Sequence, residues 1–174
     1  MDDGLESGSG NPLHFGFGFD EAGAAHPLTW HDVLDGGLAK YRCAWLHLDR
    51  QSAQAQGWLH RKSSLDRLTV QALLQEETRP RAARHGRGYL INLRGPNMNE
   101  GAEVEDMVSL RMWASDNLLI TLRARPVQSA RAVEKLVLDG EVEPSTGALV
   151  AALANELTDR METVLEALRR GRPL

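Results

Sequence analysis

The chain is short of several things that simplify the search for a function. It has a single cysteine, Cys43, so no internal disulfide can form and no zinc site can be built from cysteines alone. A reducing cytosolic compartment fits that usage. There is no excess of positive charge: formal net charge is −4, which leaves no chain-wide basic field to attract a nucleic acid. No basic start followed by an apolar run marks a signal peptide. The longest run of small apolar residues, 148–154, is far below the roughly 20 residues that span a bilayer. Catalytic signatures are missing too. There is no HExxH, no GxSxG elbow and no Walker loop, and in FGFGFD Glu21 stands where a GxGxxG turn needs its third glycine.

What remains is an ordinary globular balance of 42% apolar and 25% charged residues in 174, enough for one domain with a real core. Residues 1–11, acidic and rich in Gly and Ser, read as a disordered leader, and 12–174 as a single domain. Alternation in LHFGFGF and in CAWLHLD (43–49) predicts two strands. In the second, Ala44, Leu46 and Leu48 face one way and Cys43, Trp45, His47 and Asp49 the other. Ser52 is placed to cap a helix carrying Ala55, Trp58 and Leu59. A second helix, 65–76, carries Leu65, Leu68, Ala72 and Leu73 on one face. Pro80 disfavours helix at Arg79, so the chain turns extended there. Gly86 and Gly88 predict a turn between two strands, the second being YLINLR. Val108–Arg123 reads as a hairpin turning at Asp116-Asn117, both of which tolerate positive φ. Pro126 is expected at the first position of a helix ending at Asp139-Gly140, and Pro144-Ser145 opens the longest helix. Its apolar stripe runs Leu149, Leu153, Leu157, Met161, Val164, Leu165 and Leu168. The predicted fold class is α+β, an α/β/α sandwich: a mixed, largely antiparallel sheet between two helical layers, with a long C-terminal helix.

Candidate chemistry is sparse. His47 and Asp49 share a strand face and could meet a metal, but no third ligand is placed by the sequence. Cys43 sits in an apolar strand, where a small hydrophobic role is usual. The acids Glu76-Glu77, Glu103/Glu105/Asp106 and Glu141/Glu143 are neighbours in sequence and point apart, so they read as solvated charges. The stretch EETRPRAARHGRGYLINLRG packs five arginines into twenty residues. Nucleic-acid binding would want aromatics interleaved as stacking platforms, and only Tyr89 is near. A strand over 81–85 would send Arg81 and Arg84 to opposite faces.

WLHLD, GWL, QALLQEETRPRAARHGRGYLINLRG, DMVSLRMWASDNLLITLRARPV and LVAALANELTDRMETVLEAL together resemble the N-terminal soluble domain of the CorA family of divalent-cation transporters, in its ZntB-like zinc-transporting branch, over residues 40–170. The most specific part is Glu77-Thr78-Arg79-Pro80-Arg81, followed by a strand ending at Arg94; these six residues are structural in the resemblance. The family's Gly-Met-Asn signature and two membrane helices do not occur. The resemblance implies a domain without covalent chemistry or a required cofactor, at the cytoplasmic face of a bacterial inner membrane. It implies a homopentamer joined to the membrane through a C-terminal part, forming a funnel that lines the route of a zinc or magnesium ion and couples ion occupancy to gating. It implies structural ion pairing for the arginines, and Arg81 and Arg84 remain candidates for an anion. No nucleic-acid partner is expected. The alternative is a free-standing metal- or anion-sensing module on the same fold.

Overall fold

The computed structural model describes residues 10–76, 79–103 and 106–171. Most of the expected leader, together with Glu77, Thr78 and Glu105, lies outside the described residues. The chain builds a seven-stranded sheet: β1 (Leu13–Phe19), β2 (Ala25–Pro27), β3 (Cys43–Asp49), β4 (Arg81–His85), β5 (Gly88–Pro96), β6 (Met107–Ala114) and β7 (Leu118–Arg123). Their order is β2-β1-β3-β7-β6-β5-β4. All neighbours run antiparallel except β3 and β7, which pair in parallel from Ala44↔Leu118 to Asp49↔Arg123. The helices are α1 (Trp30–Leu34), α2 (Ala53–Arg61), α3 (Arg67–Leu74), α4 (Gln128–Leu138) and α5 (Thr146–Arg169), with a 3-10 turn at Gly37–Lys40.

Alternation sends each strand's residues to two separate cores. Ala44, Leu46, Leu48, Leu90, Ile120 and Leu122 pack under Trp58 and Leu59 of α2 and Val70 and Leu73 of α3. On the other face Trp45, Leu110, Met112 and Leu119 pack under Val133 and Val137 of α4 and Leu149 and Leu153 of α5. The three-layer sandwich is therefore present, with both sheet faces covered. β3 is buried at every position but Asp49, as a central strand covered on both faces must be. β1 carries a register shift between Leu13 and Phe15. It turns Leu13 to the α2/α3 face while Phe15, Phe17 and Phe19 go to the α4/α5 face, the usual effect of one extra residue in a strand.

Capping follows the local chemistry. Ser52, Asp66 and Ser145 each accept a hydrogen bond from the backbone N–H three residues on, at Ala55, Thr69 and Ala148, which satisfies amide donors the helix cannot. Three expectations need correction. α3 ends at Leu74, not at residue 76, because Gln75 is already extended. α4 begins after Val127, not at Pro126: Val127 is extended and only 2% exposed, so burying its side chain delays the helix. Asp116 and Asn117 do form the tip of the β6–β7 hairpin, but neither has positive φ; among the described non-glycine residues only Ser64 does. The carbonyl of Ser115 in that hairpin accepts from Thr146 Oγ1 at 2.6 Å.

The apolar stripe of α5 is also only half used. Leu149, Leu153, Leu157 and Val164 are buried, while Leu165 and Leu168 are exposed. A helix of 24 residues is roughly 36 Å long, and its last turns run past the sheet edge they would need for cover.

Gly18 marks the tightest approach at any described glycine. A Cβ there would lie 2.3 Å from the Tyr41 ring, so the glycine is required by its neighbour. Gly18→Ala is expected to lower stability by about 1–3 kcal/mol, read as the midpoint of urea unfolding. The same change made in a Tyr41→Ala background should cost far less; an equal cost in both backgrounds contradicts the packing assignment.

Candidate functional site

The two sequence-selected metal candidates sit at the end of β3, on the α4/α5 face. His47 is buried, at 2% exposure. Its ring stacks on Phe15 at 4.7 Å and lies 5.6 Å from the ring of His14. Its Nδ1 is 2.7 Å from Thr121 Oγ1, and the same hydroxyl accepts from Trp45 Nε1–H at 2.9 Å. Burial holds the imidazole well below its ordinary pKa, and the charges of His14, Arg123 and Arg131 push the same way. His47 is therefore a neutral core group tied to its neighbours. Asp49, at the strand end, accepts from the Gln51 amide at 2.8 Å and pairs in register with Arg123. Among the described residues no three His, Cys, Asp or Glu side chains converge on a point that could hold a metal ion.

The arginine-rich stretch divides as strand geometry requires. Arg81 and Arg84 point to opposite faces of β4, an edge strand, opposite Asn92 and Tyr89 of β5. Arg94 is exposed on β5 opposite Ser109. Pro80 stands one residue before β4. Arg79 has an interaction partner. The expected structural ion pairs find no partner acid for Arg81, Arg84, Arg87 and Arg94 among the described residues, and Glu77 and Glu105 lie outside these. None of them makes an ion pair or side-chain hydrogen bond with a described residue. At an exposed edge water solvates each guanidinium better than a distant acid would, and charges there also discourage pairing with a further strand.

The arginine with the strongest structural role is one the sequence reading passed over. Arg111 lies on β6 between Ser109 and Trp113, on the buried α2/α3 face, and is 3% exposed. It donates to the carbonyls of Leu73 at 3.2 Å and Glu76 at 2.8 Å. Arg50, just past β3, reaches the carbonyls of Leu74 and Gln75, each at 3.4 Å. Two guanidiniums thus hold the C-terminal end of α3, where unpaired carbonyls and the negative end of the helix dipole favour cations. Burial lowers the Arg111 pKa to about 10, the nearby Arg50 charge adds to this, and Glu76 opposes it; Arg111 stays charged at neutral pH. This clamp fixes where the chain leaves α3 and enters the segment leading to Pro80 and Arg81. An inward-facing arginine inside an otherwise apolar strand was the available signal. Its target could not be seen, because carbonyls leave no trace in a residue pattern.

Together these features describe a layered α/β/α domain whose buried Arg111, His47 and Thr121 are tied to neighbouring groups, and in whose described part no three metal-ligand-type side chains gather. Comparison with known proteins places it. The model of the CorA-like Mg2+ transporter protein family matches residues 41–172, and the chain belongs to that family. It is 34% identical over 164 residues to the divalent cation transporter CmaX of Pseudomonas aeruginosa, covering 94% of this chain and 49% of that protein. It is 29% identical over 169 residues to the zinc transport protein ZntB of Pectobacterium carotovorum, covering 94% of this chain and 50% of that protein. The structure of full-length CmaX superposes with a TM-score of 0.85 at 34% identity, over 95% of this chain and 51% of that one. The ZntB cytoplasmic domain from Vibrio parahaemolyticus superposes at 0.76 with 23% identity, over 91% of this chain and 62% of that one, a likeness of fold. The chain spans about half the length of the curated relatives it matches. No helix among the described residues is long and apolar enough to cross a membrane.

Two measurements check this picture. Unfolded His47 takes up a proton as pH falls through about 6.5, its ordinary value, while the folded ring stays neutral. Stability is therefore complete above that pH and is lost as pH falls below it, at up to about 1.4 kcal/mol per pH unit. His14, also lowered by burial, adds in the same direction. Urea unfolding in steps from pH 7 to pH 5 should show this slope, and His47→Gln should flatten it; an unchanged slope contradicts the neutral assignment. Arg111→Met should destabilise the fold by about 2–3 kcal/mol, the worth of hydrogen bonds to a charged group, and should speed amide exchange in the last turn of α3. Exchange confined to other elements contradicts the clamp.

Proposed function

We propose that this chain is the cytoplasmic domain of a CorA/ZntB-like divalent cation transporter, lining the ion's route and coupling ion occupancy to the opening of a pore. The carrying observation is the superposition on CmaX at 34% identity over 95% of this chain but 51% of that protein. A domain so closely matched to part of a transporter takes its role from the assembly around it. The domain performs no covalent chemistry and needs no cofactor. Zinc or magnesium passes as cargo. The working unit is a homopentamer at the inner face of a bacterial membrane, to which further sequence connects it, and nucleic acid has no part. Net charge −4 favours this reading, since an acidic surface lowers the energy of a nearby divalent cation. Coupling would come from an ion binding two arrangements of the ring unequally.

Segment 77–81 serves as structure at the exit from α3, next to the helix end that Arg50 and Arg111 hold, and Arg94 serves as structure on β5. His47 and Asp49 are the weakest part of the proposal as metal ligands, given the burial of the first. Arg81 and Arg84, both exposed and unpaired with described acids, suit a diffuse attraction for anions on two separate faces of the edge strand. A free-standing metal sensor on the same fold differs in one measurable way: zinc would bind this chain alone, and Asp49→Asn would abolish the binding.

Reconstituting the complete reading frame that contains this chain into vesicles loaded with a zinc or magnesium indicator tests the proposal. Uptake of one of the two ions is expected. A monodisperse, correctly folded protein that moves neither ion overturns it, and zinc binding by the isolated chain that Asp49→Asn removes favours the sensor.

A further inference from the structure

A cleft of about 930 Å3 opens at the end of the sheet opposite Asp49, between the 3-10 turn, the α2–α3 loop, the β4–β5 turn and the β6–β7 hairpin. Its lining is apolar where the sheet forms it. Ala44, Trp113 and Leu118 contribute there, with Tyr41 alongside. Trp113 is 8% exposed, and its Nε1–H has no hydrogen-bond partner; its ring lies over Gly88, where a Cβ would come within 2.8 Å. Polar groups line the loops around it. Asp66 caps α3, accepting from the Thr69 amide at 2.9 Å and the Thr69 hydroxyl at 2.7 Å. These bonds hold its carboxyl below the usual range, so the anion is fixed in place and ionised at neutral pH. The β4–β5 turn comes up to this carboxylate, and a Cβ on Gly86 would stand 3.4 Å from Asp66 Oδ2. Arg87 in that turn and Asp116 across the cleft have no side-chain partner among the described residues. Ser64, at φ +63, also lines the cleft.

These residues do not form a hydrolase site. His85 Nδ1 is 3.4 Å from Thr69 Oγ1 and makes no hydrogen bond to Ser64. Nor do they form a metal site, since no three ligand-type side chains converge among the described residues. What they display, beside the His85 ring, is one unpaired guanidinium and two carboxylates around an apolar floor. A simple anion would meet two like charges, and a simple cation would leave Arg87 uncompensated. A molecule carrying both charges on an apolar body satisfies all three groups. A carboxylate suits the planar fork of an arginine, an ammonium suits the two aspartates, and a hydrophobic body suits the indole and Leu118.

We propose that this cleft binds a small zwitterion with an apolar side chain, the chemical class of a hydrophobic amino acid. Occupancy would draw together the α2–α3 loop and the two hairpin turns. The site lies on this domain alone and does not depend on the transport reading.

The test titrates the whole chain by calorimetry and thermal shift with L-phenylalanine, L-leucine and L-tryptophan. Phenethylamine, which lacks the carboxylate, and 3-phenylpropionate, which lacks the ammonium, serve as controls. At least one of the amino acids is expected to bind saturably at millimolar concentration, while the controls fail. Arg87→Ala and Asp116→Ala, both exposed positions with no packing role, should leave the melting temperature of the free chain unchanged and weaken binding about tenfold or more, the effect of losing one charged contact. The proposal is overturned if none of the amino acids binds, if either control binds as well as phenylalanine, or if binding survives both substitutions.

Discussion

The parallel pairing of β3 with β7 is the seam on which the architecture rests. β1 and β2 attach to one side of it and β6, β5 and β4 to the other, each by antiparallel pairing. The connection from β3 to β7 must cross from one half to the other, and it carries α2, α3 and three strands on the way. Parallel pairing demands such a crossover, and covering it demands helices. Hence both faces of the seam are dry: Trp45, Leu46, Leu48, Leu119, Ile120 and Leu122 are all inaccessible to solvent. Polar groups trapped on it have to be satisfied internally, which explains the Thr121 hydroxyl bonded by Trp45 and His47 and the burial of Arg111 against carbonyls.

Much of this was legible in residue order because period-two alternation survives burial on both faces. The two faces of CAWLHLD, the glycine punctuation around Arg87 and the caps Ser52 and Ser145 all follow from chemistry within a few residues. The parts that escaped were of another kind. β2, α1 and the 3-10 turn occupy residues 25–40 in pieces too short for any period to appear. The setting of His47 depended on α4 and Phe15 covering a face that the strand itself could not declare buried. Arg111 depended on the end of a helix brought over it from 35 to 38 residues away. Outside residues 25–40, distance in sequence rather than weakness of signal separates what could be read from what could not.

The same division applies to charge. The arginines that caught attention by their density, Arg81, Arg84, Arg87 and Arg94, remain at the surface. The pair that organises the fold, Arg50 and Arg111, stands apart from that cluster in sequence, Arg50 between Asp49 and Gln51 and Arg111 between Leu110 and Met112. A guanidinium is costly to bury and is tolerated here because helix carbonyls offer partial negative charge in fixed positions. Crowding of like charges therefore reported solvent exposure, and isolation reported a structural task.

Thr146 Oγ1, bonded to the Ser115 carbonyl, ties the beginning of α5 to the tip of the β6–β7 hairpin, while the helix's other end overhangs the sheet with Leu165 and Leu168 bare. α5 is in this respect a beam clamped at one end and free at the other. A load on the free end therefore meets the buried Val164, Leu157, Leu153 and Leu149 in turn before it reaches that hydroxyl.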